Sequence, residues 1–306
     1  MRVAVIGRTE ILYETALRLR DQGHEIGLIV TAKEAPEYTK TSGDFRALAK
    51  EWDIPFIHTP RIAEAIDTIR CLPKIDIGVS MNYSGVIPQS VIDLFRLGLL
   101  NAHGGDLPRY RGNACQAWAI INGEERIGLC IHKMIGGELD SGDIIARDYF
   151  PLTLNTKVTA VLQWMAERIP VLFSDALKQI EVDRSYFLER QSNAPTDVLR
   201  CYPRKLEDGR INWCKRAKEI LQLINACNKP YGGAFCELEG RKLIIWDAEL
   251  APQENFLAVP GQITKIENTF VDVATGEGKL RVKVMEISGK EKLPRQIVRS
   301  IRQRFT

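Results

Sequence analysis

Two patterns alternate along the first half of the chain. Short, nearly unbroken apolar runs ("RVAVIG", "EIGLIVT", "IPFIHT", "IDIGVSM" and "GLLNAH") read as buried strands. Between them lie segments with apolar residues at helical spacing. Leu12, Ala16 and Leu19 share one face before Gly23. Phe45, Leu48, Ala49 and Trp52 share another, with Ser42 as the expected N-cap. Strand–helix alternation with continuously apolar strands predicts a parallel sheet covered on both faces, an α/β, Rossmann-like domain. Ligands of such sheets sit beyond the carboxyl ends of the strands. From Thr156 to Ile180 one long helix is predicted, with Val158, Leu162, Met165, Ile169 and Leu172 at helical spacing. The polar stretch after it reads as a linker over 191–203. From 204 to 306 short strands dominate, with turn glycines at Gly240, Gly261, Gly276 and Gly278, which predicts a smaller, mostly β, OB-like barrel. The expected division is thus a catalytic domain over 1–190 and a β-rich domain over 204–306.

Composition narrows this picture. With 45% hydrophobic residues in 306, the chain can bury one large or two smaller cores. A net charge of +3 forces neither an acidic nor a basic class of partner. No apolar run is long enough for a membrane span, and the start lacks the cleavage pattern of a secretory signal. The seven cysteines are odd in number and form no C-x-x-C pair, which argues for reduced thiols in a cytoplasmic protein and against a metal site. The first strand is followed by "GRTEIL", with one glycine where a dinucleotide fold would place G-x-G-x-x-G, so NAD and FAD are not expected.

The chemistry concentrates in "LLNAHGGDLPRYRGNACQAW". Asn101 and His103 close an apolar strand and, two residues apart, leave it on one face. A lone histidine at a strand end is ordinarily a satisfied core group. Here an amide accompanies it, and a second loop, "GELDSGDII", offers Asp140 and Asp143 at the same sheet edge. Asp and Gly are also the ordinary residues of turns. An imidazole oriented by a carboxylate moves protons near neutral pH, and an amide donor stabilises an oxyanion. The set suits attack on a carbonyl, with the nucleophile supplied by the substrate. His24, His58 and His132 have no clustered partners in the sequence and are expected to be structural or exposed. Trp213 and Trp246 are expected in the core, and the basic tail "KEKLPRQIVRSIRQRF" on a solvated face.

In order and spacing, "NAH", "GDLPRYRG" and "LDSGDII" resemble the N-x-H, LLPxYRG and LDxGDI motifs of folate-dependent formyltransferases. "CYPRKLEDGRINW", "NKPYGGAF" and "RKLIIWDAEL" resemble the C-terminal domain shared by methionyl-tRNA formyltransferases and the amino-sugar formyltransferase of lipid A modification. The resemblance implies Asn101, His103 and Asp140 as catalytic residues and N10-formyltetrahydrofolate as co-substrate. It implies pterin contacts, mostly by backbone, around Met81, Tyr83 and Ile87 and around Gly137, Glu138, Leu139 and Asp143. The family pattern has Ser-Leu-Leu-Pro where this chain has Gly105-Asp106-Leu107-Pro108, so Asp106 is expected to touch the acceptor.

Three acceptor hypotheses follow: a nucleotide-linked amino sugar, methionyl-tRNA, or none, in a non-catalytic sensor. The filled catalytic positions speak against the last. The tRNA enzymes of the family carry a lysine-rich insertion after the second strand. Here "TAKEAPEYTKTSGDF" sets Lys33 and Lys40 against Glu34, Glu37 and Asp44, a poor surface for nucleic acid. The expectation is therefore a UDP- or dTDP-linked amino sugar, with Arg8, Tyr110 and Arg111 as candidates for its phosphates and base. A homodimer is compatible with the sequence, which has no feature that sets the oligomeric state.

Overall fold

The computed structural model describes residues 1–306. In chain order its elements are β1 (Arg2–Gly7), α1 (Glu10–Asp21), β2 (Glu25–Thr31), α2 (Ser42–Glu51), β3 (Phe56–His58), α3 (Ile66–Arg70), β4 (Ile77–Met81), α4 (Gln89–Ile92), β5 (Leu99–His103), β6 (Arg111–Gly112), α5 (Cys115–Asn122), β7 (Arg126–Lys133), β8 (Ile144–Pro151) and α6 (Val158–Val182). They continue with β9 (Arg200–Cys201), α7 (Ala217–Ala226), β10 (Ala234–Leu238), β11 (Arg241–Leu250), β12 (Ile263–Ile266), β13 (Val271–Ala274), β14 (Lys279–Ile287), β15 (Lys290–Lys292) and α8 (Pro294–Ile297). Two compact units interleave along the chain. One holds Met1–Gly112, Gly128–Tyr149 and Gln163–Cys201; the other holds Asn113–Ile127, Phe150–Leu162 and Tyr202–Thr306.

The first unit is built on a seven-stranded sheet of order β3-β2-β1-β4-β5-β7-β8. Its central strands pair in parallel, and their apolar residues are almost wholly buried, as runs covered on both faces must be. The sheet is mixed, however: β7 runs antiparallel to β5. The parallel sheet expected from sequence is present in β3-β2-β1-β4-β5, and β7 adds an antiparallel strand to it. Strand–helix alternation reports what covers the faces, whereas the direction of β7 depends on how the chain returns after α5.

Local sequence rules explain the helices. Phe45, Leu48 and Ala49 of α2 are buried, each large side chain worth about 1.5–3 kcal/mol of burial. Its N-cap is Thr41 rather than Ser42: Thr41 Oγ1 accepts from the Asp44 amide at 3.3 Å, and the Asp44 carboxylate accepts from the Thr41 amide at 2.8 Å. Gly7 ends β1 at φ 147°, where a Cβ would lie 2.0 Å from the Met81 carbonyl oxygen. Only glycine lets β1 and β4 deliver their ends this close.

The second unit carries an antiparallel sheet of order β10-β11-β14-β13-β12, with β15 on β14. Ile220, Leu221 and Ile224 of α7 join Ile245, Val273 and Val282 in its core. Trp213 stacks on Phe305 there, and Trp246 is buried as expected. No helix of the chain is long and apolar enough to cross a membrane.

Candidate active site

The site lies where β5 ends in the first unit. Pairing with β7 sets Asn101 opposite His132 and His103 opposite Cys130. The loop before β8 brings Asp140 to the same place. Its Oδ2 is 3.5 Å from His103 Nδ1, and its Oδ1 is 3.5 Å from His132 Nε2. The Gly112 amide donates to Asp140 Oδ2 at 2.9 Å. Asn101 Nδ2 lies 3.3 Å from His132 Nε2. Asn101, His103 and Asp140 therefore come together, and His132 stands among them. The expectation for His132 is corrected: it is 2% exposed and belongs to the cluster. Its partner Asn101 is 31 residues away, across an antiparallel pairing that local pattern does not reveal. His24 is buried elsewhere and His58 is exposed.

Burial pushes the Asp140 carboxyl up, but the imidazoles of His103 and His132 and the Gly112 amide outweigh it. Together they hold the group far below the usual carboxylate range. Burial lowers His103, against the pull of Asp140. The imidazole is thus neutral at neutral pH in the ligand-free protein, not the standing cation that an oxyanion partner would suggest. Its Nε2 is 2.7 Å from the Tyr110 carbonyl oxygen, which can only accept, so Nε2 carries the proton. Nδ1, facing Asp140, is the nitrogen that gains one. Next to it, burial pushes the Cys130 thiol up to about 12, which keeps it from acting as a thiolate nucleophile.

The remaining candidates are placed as follows. Tyr110 is 3% exposed, in left-handed backbone (φ 56°), and its carbonyl holds His103. Arg111 is buried, with Nη2 donating to Gln191 Oε1 and the Ser192 carbonyl, each at 3.0 Å. Both residues are buried instead of presenting themselves to solvent. Arg8 is apart from them. It donates to the Asn82 and Lys33 carbonyls at 2.8 Å and lies over the Tyr38 ring.

Met81 ends β4 and is buried, and Ile87 belongs to the core of the first unit. Tyr83 donates its hydroxyl to the Thr59 carbonyl at 2.6 Å, and burial pushes its phenol up to about 12. Gly137, Glu138 and Leu139 are exposed, and Glu138 accepts from Ser141 Oγ. The Asp143 carbonyl accepts from the Lys133 amide. The two loops meet where the Gly136 amide donates to Gln89 Oε1 at 2.8 Å.

Asp106, expected near an acceptor, is instead bound to Arg147 Nη1 at 2.5 Å. Gln191 is a residue that sequence reasoning passed over as linker. Its amide donates to the carbonyls of Asp140 and Gly142 at 2.9 and 2.6 Å, which fixes the Asp140 turn.

A half-buried amide, two buried imidazoles and one ionised carboxylate at a strand end can hold a developing oxyanion and pass a proton. Comparison with known proteins agrees with this chemistry. Residues 1–177 match the formyl transferase family, and residues 204–301 match the formyl transferase C-terminal domain. A methionyl-tRNA formyltransferase of Geotalea uraniireducens is 28% identical over 301 residues, covering 96% of this chain and 92% of the relative. Among solved structures, the sugar 3N-formyl transferase WlaRD, crystallised in the presence of dTDP and 5-N-formyl-THF, aligns with a TM-score of 0.68 at 18% identity, over 92% of this chain and 97% of that one. The N-formyltransferase of Helicobacter canadensis, in complex with folinic acid and dTDP-3-aminofucose, aligns with a TM-score of 0.68 at 17% identity, over 92% and 99%. The chain belongs to the formyl transferase family and is an enzyme of formyl transfer.

Proposed function

We propose that the enzyme moves a formyl group from N10-formyltetrahydrofolate to the amine of a nucleotide-linked amino sugar. Both solved neighbours named above were crystallised with a folate and a dTDP group, which supports both halves of this reading.

The observation that carries the choice of acceptor is the segment that runs from the end of β2 into the first turn of α2, residues 31–45. Its lysines face an excess of carboxylates: Lys33 and Lys40 against Glu34, Glu37 and Asp44. The segment is also tied down. Lys40 lies 4.0 Å from Asp44 and over the Tyr13 ring. Glu34 accepts from the Ser42 amide at 3.1 Å, and Glu10 accepts from the Thr39 amide at 3.2 Å. A segment that gripped a tRNA backbone would have to neutralise several phosphates. This one has a net negative charge.

In the reaction, the acceptor amine forms a bond to the formyl carbon, and the carbon–N10 bond of the folate breaks after it. Asn101 donates an amide N–H to the oxyanion. His103 Nε2–H leaves the Tyr110 carbonyl for the same oxygen, because a charged acceptor binds the proton more strongly than a neutral one. The amine loses its proton to His103 Nδ1, where Asp140 stabilises it, and the same proton passes to the folate nitrogen as the carbon–N10 bond breaks.

The second reading is methionyl-tRNA as acceptor, favoured by the near full-length match to the Geotalea relative. A panel of dTDP- and UDP-linked 3-amino and 4-amino sugars, run beside methionyl-tRNA with folate release as readout, separates the two. Turnover with a sugar nucleotide, insensitive to salt, is expected. Turnover with methionyl-tRNA alone, falling by orders of magnitude between about 50 and 200 mM salt, would overturn it.

A further inference from the structure

His132 touches two of the three residues that the reaction uses, yet nothing in the proposed chemistry employs it. It is buried on β7, opposite Asn101 in the β5–β7 register. Its Nδ1 is 2.9 Å from the Lys133 carbonyl oxygen. A carbonyl oxygen can only accept, so the ring proton sits on Nδ1 and Nε2 presents a lone pair. The atom that meets this lone pair is Asn101 Nδ2, at 3.3 Å.

We infer that His132 is a positioning residue: its Nε2 lone pair accepts one amide N–H of Asn101 and so fixes which end of that amide faces the reacting carbonyl. The inference rests on the reading of Asn101 as an oxyanion donor. A primary amide can flip, exchanging a donor for an acceptor at nearly the same shape. Were Asn101 flipped, its Oδ1 would face the Nε2 lone pair, two acceptors in contact in a buried site, which is costly. The unflipped amide gives one N–H to His132 and keeps its second N–H for the substrate. The Lys133 carbonyl thus sets the tautomer of His132, and the tautomer sets the amide. The other group within reach of Nε2 is Asp140 Oδ1, at 3.5 Å. A proton on Nε2 would bind that carboxylate and release Asn101, so the tautomer decides between the two partners. His103 takes no direct part: its ring centroid is 6.3 Å from that of His132.

The tautomer is open to measurement without any substrate. Nitrogen-15 NMR of histidine-labelled protein at mildly alkaline pH should show His132 protonated at Nδ1 and bare at Nε2. The reverse tautomer would overturn the inference. Kinetics supply the second arm, with dTDP-3-aminofucose or methionyl-tRNA as acceptor, whichever the wild-type enzyme formylates. His132→Ala should lower kcat by roughly 10- to 100-fold, the scale of a misplaced catalytic group. The KM values for folate and acceptor should stay within about threefold, since nothing that binds them is lost. His132→Gln should recover most of the rate, because its side-chain oxygen can accept the same N–H. In the Asn101→Ala background, His132→Ala should cost nothing more. Wild-type kcat in His132→Ala, or losses that add fully with Asn101→Ala, would overturn the inference while leaving the Asn101 reading intact. Wild-type turnover in Asn101→Ala alone would instead sink that reading. If His132→Ala does not fold, the Gln variant and the spectrum of the unmodified protein still decide.

Discussion

Two buried charge clusters sit in the same unit, a few residues apart in sequence, and they are built in opposite ways. Around Asp140 the contacts between side chains are long, 3.5 Å to each imidazole and 3.3 Å between Asn101 and His132, and only backbone groups hold the carboxylate and the two rings closely, at 2.7 to 2.9 Å. Around Arg147 they are short. Its Nη1 is 2.5 Å from Asp106, and its Nη2 is 3.0 Å from Glu189 and 2.7 Å from the Leu107 carbonyl. The second cluster holds the strand-end loop against β8 through both Nη atoms of Arg147, whose Nε is buried without a hydrogen-bond partner. The first keeps donors and a proton site in reserve for charge that has yet to form. Buried polar groups are costly in either case, and only full pairing repays that cost with stability. Long side-chain contacts among groups that can move a proton, beside short ones that tie a loop to a strand, mark which of the two does chemistry.

The largest effect should come from the loose cluster. Asn101→Ala and His103→Ala should each lose roughly 10²–10³ in kcat, the cost of one oxyanion donor. The unfolding transition of Asn101→Ala should stay near that of the parent, because its contact to His132 is long, at 3.3 Å. Stopped or steady-state folate release checks the first statement and thermal melting the second. A large drop in melting temperature with intact turnover would reverse the roles of the two clusters.

The tight cluster should answer in the other coordinate. Asp106→Ala leaves the Arg147 guanidinium without one partner. Both side chains are mostly buried, at 26% and 10% exposure. Removing one partner of a fully buried pair costs about 3–5 kcal/mol, and residual solvent and the remaining Glu189 reduce this to about 1–3 kcal/mol. Urea unfolding measures it. The kcat of the folded fraction should be near that of the parent. A loss of turnover at unchanged stability would return Asp106 to the acceptor, where the sequence motif had placed it.

What could be read from the sequence follows the range of the interaction. Asn101 and His103 are visible because a period of two at a strand end is local. The core faces of α1 and α2 are visible for the same reason, and the α2 cap is missed by only one residue, Thr41 for Ser42. The pairing of Asp106 with Arg147 spans 41 residues, and that of Asn101 with His132 spans 31. Both depend on strand direction and register, which apolar periodicity does not encode. Gln191 is hidden differently. Its segment has the composition of a linker, yet one amide bonds two carbonyls of the Asp140 turn. Gln191→Ala should therefore loosen the loose cluster further and lower kcat about tenfold, roughly one hydrogen bond's worth, while Gln191→Glu, which keeps the length but loses the donors, should do no better. Equal activity of both variants with the parent would show that the Gly112 amide suffices to hold Asp140.

The smallest effect compares buried imidazoles. His24, in the first unit but away from the site, is lowered by burial against the pull of Glu181, and His103 is lowered by burial against the pull of Asp140. In each case the folded protein keeps the ring neutral where the unfolded chain, with its ordinary value of 6.5, would take a proton. Between the two values the unfolded state binds more protons, so stability rises with pH and is lost as pH falls below about 6.5. His24→Gln removes one such linkage and should flatten the fall in stability between about pH 7 and 5, read as urea midpoints at several pH values. It should leave the acid limb of kcat where it was, because His24 has no part in proton transfer. His103→Gln should flatten the same stability curve but abolish turnover. An acid limb that moves with His24→Gln would mean that the activity profile reports unfolding, and the contrast between scaffold and site would have to be drawn from kinetics at a single, higher pH.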